Sequence, residues 1–182
     1  SREVLVIKDY NGDIPLNLAI RNNYDDIEQL ITPESLKFKD IPPLFTAIRY
    51  HRKDIKLLIT PESLKFKDYF GDTSLHVAIR NNYNDIEQLI TPEALASRNN
   101  LGGTILHLAS LYHFENIEPL ITPELLVVKN NDGNTPLHSA AEYEYEKIEK
   151  FITPELLTCQ NKKGMTPLHV AIKNFNKNIA PL

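Results

Sequence analysis

Cysteine occurs once, at Cys159, so no disulfide framework can form, as expected of a chain that folds in a reducing compartment such as the cytoplasm. The lone thiol reads as a small, half-buried apolar residue. Basic residues are not in excess: the net charge is −4 and the pI near 5.9, which leaves no stripe to neutralise phosphates and disfavours nucleic acid as a partner. No run approaches the roughly 18 apolar residues of a membrane span, and no basic-then-apolar leader opens the chain, so the chain reads as soluble. The glycines stand singly and build no phosphate-cradling loop.

What the chain does contain is repetition. The stretch Gly133-Asn134-Thr135-Pro136-Leu137-His138 has imperfect copies whose Pro136-equivalent position falls at 15, 43, 74, 105, 136 and 167, so the step is 28 residues once and 31 thereafter. A second box, Ile-Thr-Pro-Glu, begins at Ile31, Ile59, Ile90, Ile121 and Ile152 and shows the same single short step. A fixed period of this size signals stacked units that each touch only their neighbours. On Gly-x-Thr-Pro-Leu-His-x-Ala followed by a short apolar helix, the chain resembles the ankyrin repeat family, whose usual unit is about 33 residues. The Thr-Pro-Glu-x-Leu segment departs from the family's pattern.

That resemblance implies an all-α ankyrin-repeat solenoid of stacked helix-turn-helix units with short β-hairpin or turn fingers. Residues 1–182 are expected to form a single array of about six repeats. Glu3-Val4-Leu5 aligns with Glu62-Ser63-Leu64 and Asn178-Ile179 with Asn116-Ile117, so both ends are expected to be truncated.

Within each unit, Gly12, Gly71, Gly102, Gly133 and Gly164 supply the positive φ of a finger turn. The second repeat lacks this glycine: Asp40 runs directly into Ile41-Pro42-Pro43, which predicts a blunted finger and a notch. The first helix starts at Thr, as N-cap, with Pro in the first position, and should end at Asn23, His51, Asn82, His113, Glu144 and Phe175. A second helix is expected over Asp25 to Ile31 and its relatives, its apolar residues at i, i+3 and i+4. Pro119 and Pro181 should make two of these second helices start late. The Thr-Pro-Glu box reads as a further helix start with its Leu packed inward, in preference to a proline-directed phosphorylation site.

Catalysis finds no support. His76, His107, His138 and His169 form a column, but equivalent residues of packed helices stand roughly 10 Å apart and cannot share an ion bound at about 2 Å. In the resembled family this His bonds locally, near the Thr and the adjoining hairpin. Carboxylates such as Asp25, Asp26, Glu142 and Glu146 lie at helix ends or on exposed faces, and Ser110 and Ser139 lack a nucleophile turn. No cofactor and no metal are expected.

The ankyrin resemblance implies contact positions at fingertips and at the ends of the first helices. These are Tyr10, Asn11, Tyr69, Phe70, Asn100, Leu101, Asn131, Asp132, Lys162 and Lys163, with Arg21, Arg49, Tyr50, Arg80, Asn81, Leu111, Tyr112, Glu142, Tyr143 and Lys173. Aromatics and Arg dominate binding hot spots, and taking the apolar and aromatic positions with Arg80 selects Tyr50, Tyr69, Phe70, Arg80, Leu101, Leu111, Tyr112 and Tyr143 as partner-binding residues. Arg21, Arg49 and Arg80 repeat at one position, either complementing a helix C-terminus or forming a basic ladder for an acidic partner. The expectation is a monomeric, non-catalytic module that binds a protein or peptide on its concave face. The alternatives are a targeting or substrate-recruiting arm of a larger enzyme or secreted microbial effector, and a mechanical spacer.

Overall fold

In the computed structural model, which describes residues 2–53 and 55–178, every Thr-Pro or Pro-Leu box opens a helix. Two compact units result, residues 1–94 and 95–182. In the first, α1 (Pro15–Arg21) packs on α3 (Pro43–Arg49) and α3 on α5 (Ser74–Arg80), with α2 (Pro33–Leu36) and α4 (Pro61–Lys65) between them in sequence. α6 (Pro92–Ala96) lies at the division. In the second, α9 (Pro136–Tyr143) packs on both α7 (Ile105–Tyr112) and α11 (Pro167–Asn178), and α8 (Pro123–Leu126) and α10 (Pro154–Thr158) are short. The fold is all-α, a solenoid of stacked helical repeats within each unit. Leu and Ala three apart on each long helix supply the core: Leu16 with Ala19, Leu44 with Ala47, Leu75 with Ala78, Leu106 with Ala109 and Leu137 with Ala140 are all buried.

Several expectations need correction. No strand occurs among the described residues, so the fingers are turns and not β-hairpins. Each is closed by two backbone bonds, such as Asp68 N–H to the Asp72 carbonyl at 3.0 Å and Gly71 N–H to the Asp68 carbonyl at 2.9 Å, and by an Asp or Asn side chain. Oδ1 of Asp9, Asp68, Asn99, Asn130 and Asn161 accepts the N–H groups two and four residues on, at 2.8 to 3.1 Å. The expected glycines do hold positive φ, from 70° to 84°.

The second helix is not an α-helix. It shrinks to a 3-10 turn, Glu28–Leu30, Lys56–Leu58, Glu87–Leu89 or Glu118–Leu120, lengthening only in Glu146–Phe151. The segment is pinned at both ends. Asn23 before it is left-handed, and Thr32 after it is extended (φ −131°, ψ 161°) both as an N-cap and as the residue before Pro33. Short as the turn is, Ile55, Leu58, Ile86, Leu89, Ile117 and Leu120 still point inward and are buried. Pro119 delays nothing, because it takes the second place of a 3-10 turn, where its missing N–H would be unpaired anyway. Pro181 lies outside the described residues.

The Thr-Pro-Glu box does cap a helix: Oγ1 of Thr60 accepts the Ser63 N–H at 3.0 Å. The box Leu packs inward fully only as Leu126; in the other copies the residue before it is the deeper one, since Ser35, Ser63, Ala94 and Leu156 are buried while Leu36, Leu64 and Leu95 are half-buried and Leu157 exposed. That third helical position faces back under the preceding 3-10 turn, where the Ser35 hydroxyl donates to the Leu30 carbonyl at 2.9 Å.

Asn23, His51, Asn82, His113 and Glu144 are all left-handed, φ 52° to 58°, as the cap positions required. The two histidines carry the strain while packing on tyrosines, His51 on Tyr83 and His113 on Tyr145, with ring centroids 6.2 and 6.0 Å apart. α11 does not end at Phe175 but continues to Asn178. The second repeat has no finger, and Pro42 (φ −56°, ψ 138°) leads straight into α3.

Candidate partner-binding surface

Two columns of hydrogen bonds fix the frame on which exposed side chains are carried. His107 and His138 each donate Nε2–H to a carbonyl of the following repeat, Asn134 at 2.8 Å and Met165 at 2.9 Å, so Nδ1 must be the acceptor. Nδ1 of His107 receives the Thr104 hydroxyl at 2.9 Å and its backbone N–H at 3.2 Å. His138 repeats the pattern with Thr135, and His169 with Thr166. Thus the Thr hydroxyl in these boxes serves the His ring, and the imidazole takes the place that Glu or Gln holds in a capping box. In the first repeat Asn17 does the same reaching, donating to the Ile41 carbonyl at 2.7 Å.

Sequence reasoning missed the second column. Arg52 Nη2 donates to the Tyr24 carbonyl at 2.8 Å, Tyr83 O–H to the Arg52 carbonyl at 2.9 Å, and Tyr145 O–H to the Phe114 carbonyl. These residues occupy one repeat position, each bonding its equivalent in the preceding repeat, and the period alone would have revealed them. Burial pushes the Tyr145 phenol well above its ordinary value. Fingers in the second unit are also joined, Asn131 N–H to the Leu101 carbonyl and Lys162 N–H to the Asp132 carbonyl, both at 3.0 Å. Gly102 and Gly133 allow this, since a Cβ there would stand 2.9 Å from the Asn131 nitrogen and 2.7 Å from the Lys162 nitrogen.

The predicted contact residues fall into separate groups, each within its own unit. In the first, Tyr69 and Phe70 project from a fingertip with their rings edge to face at 5.7 Å, and Tyr50 lies exposed at the end of α3. Arg80 is held within its own finger. Its guanidinium bridges Asp72 at 2.6 Å and Asp68 at 3.0 Å, lies 5.2 Å from the Phe70 ring centre, and its side chain is only 21% exposed. Arg21 likewise returns to Asp13 at 2.5 Å. Arg49 has no such acid, because Ile41 stands where the finger aspartate would be. Two of the three arginines thus brace their own fingers.

In the second unit, Leu101 sits on a fingertip, Leu111 and Tyr112 end α7, and Tyr143 ends α9. Tyr143 lies close enough to Glu142 and Tyr112 that both add to the effect of burial in raising its phenol pKa. Apart from Arg80, the predicted residues are between 37% (Tyr143) and 91% (Tyr69) exposed.

Chemically this surface offers area and hydrogen bonds. The Ser110 hydroxyl donates to the Leu106 carbonyl of its own helix at 3.1 Å. No group of three His, Cys, Asp or Glu side chains among the described residues could hold a metal, and no described helix is long and apolar enough to cross a membrane. Residues 106–182 match the family model for ankyrin repeats, in three copies. No curated protein matches the chain.

Proposed function

Since residues 106–182 are repeats of the ankyrin family, whose members generally bind proteins and are typically non-catalytic, we propose that this chain grips a protein or peptide through its fingertips and first-helix ends. Tyr69 and Phe70 in the first unit, and Leu101, Leu111, Tyr112 and Tyr143 in the second, are the anchors, with Tyr50 beside the first group. Arg80 acts as a brace that holds Phe70, not as a contact of its own. The observation that supports this reading is the pairing of large exposed side chains with a backbone locked by repeat-to-repeat hydrogen bonds. Rigid aromatic anchors bury area on binding at little cost in entropy, so a preorganised frame turns modest contact into affinity.

The test is affinity capture with the wild-type chain and a variant carrying Tyr69→Ser, Phe70→Ser, Tyr112→Ser and Tyr143→Ser. These side chains are exposed, so the variant should melt close to wild type while losing specific partners. Equal recovery by both proteins would remove the assignment.

A further inference from the structure

The missing finger of the second repeat leaves a groove of about 180 Å³ in the first unit, between the segment Leu36 to Pro42 and the helix α4. Its walls are apolar: Leu36, Phe38, Pro42 and Phe66. Phe66 is held in place by Phe45, edge to face at 5.3 Å. Phe45 stands where later repeats have His and is buried. Aromatic walls are special to this place, since positions equivalent to Phe38 and Phe66 in later repeats carry Ser97, Val128 and Cys159.

The rim is basic. Lys37 and Lys39 line the groove, are exposed and form no ion pair among the described residues, whereas Lys8 pairs with Asp40 and lies 5.4 Å from the Phe38 ring centre. Glu62 is the acid on the rim. A local excess of positive charge around an apolar slot is notable in a chain of net charge −4.

We infer that this groove is a second docking site, which takes one large apolar side chain of an acidic peptide segment while Lys37 and Lys39 hold the flanking carboxylates. It shares no residue with the fingertip surface and does not depend on it. A phosphate backbone fits less well, because Glu62 would face it and two lysines neutralise little of it. Desolvation of the anchor supplies affinity, and the lysines supply orientation and on-rate.

The experiment is fluorescence anisotropy of the full chain with a labelled Asp-Glu-Asp-Phe-Glu-Asp peptide. Saturable binding is expected. It should weaken about tenfold or more in a Lys37→Glu, Lys39→Glu variant, whose exposed side chains take no part in packing, and by a similar factor when Gly replaces the peptide's Phe. The four-serine variant should bind this peptide as wild type does. The inference is overturned by absent binding, by equal binding to the lysine variant or to the Gly peptide, or by tighter binding of a short oligothymidylate. Loss of binding in the four-serine variant would place the peptide on the fingertips, ending this inference while leaving the proposed function standing.

Discussion

His107 illustrates how one side chain can join two repeats and set a pH limit on the fold. Its ring donates to the Asn134 carbonyl and accepts from Thr104, an arrangement that only the neutral form can make. Burial pushes its pKa from 6.5 to about 4, the positive charge of Arg98 adds to this, and the Asn134 carbonyl opposes it. His138 is lowered for the same first reason. Between pH 6.5 and about 4 the unfolded chain therefore binds protons that the folded chain refuses. The stability due to neutral His107 is complete above pH 6.5 and is lost as pH falls through that window, by roughly 3 kcal/mol in all. Urea unfolding at pH 7 and pH 4.5 should show the loss, and His107→Gln, less stable at pH 7, should show a flatter pH dependence. An unchanged pH slope in that variant would mean that other groups govern the acid limb.

The ladder of Arg52, Tyr83 and Tyr145 binds neighbouring repeats through single hydrogen bonds to backbone carbonyls. Tyr145→Phe preserves the ring packed on His113 but leaves the buried Phe114 carbonyl without the phenol's proton, a loss of about 1–3 kcal/mol. Tyr10→Phe, on an exposed fingertip, should be neutral, and urea midpoints of the two variants decide the matter. Element starts were legible in the sequence because Thr-Pro is a local signal, and so were the left-handed caps and finger glycines. The length of the second helix was not. The apolar spacing of Ile86, Leu89 and Ile90 fits a helix, but between the left-handed Asn82 before it and the start of α6 at Pro92 after it the segment forms only the 3-10 turn Glu87–Leu89. The pairing of Arg80 within its own finger was not legible, because its partners, Asp68 and Asp72, come near only once the finger folds back on the helix end.

Repeat architecture makes a further demand, that energy be local. In repeat folds each repeat contacts only its sequence neighbours, so stability should be a sum of repeat and nearest-neighbour contributions. Thr60 caps α4 in the second repeat and Tyr145 tethers the fifth, in different compact units and with no shared partner. Thr60→Ala removes an N-cap and should lower stability by about 1 kcal/mol. Combined with Tyr145→Phe, the total loss from urea titrations should equal the sum of the single losses within about 0.5 kcal/mol. The fingertip residues, by contrast, are legible in the sequence only as positions. Their packing environment sets neither their identity nor their partner, whereas Thr60 and Tyr145 are dictated by the carbonyls and N–H groups they must satisfy. A coupling well beyond 0.5 kcal/mol between those two sites would show that they do not act independently, and the additive picture would have to give way to a cooperative one.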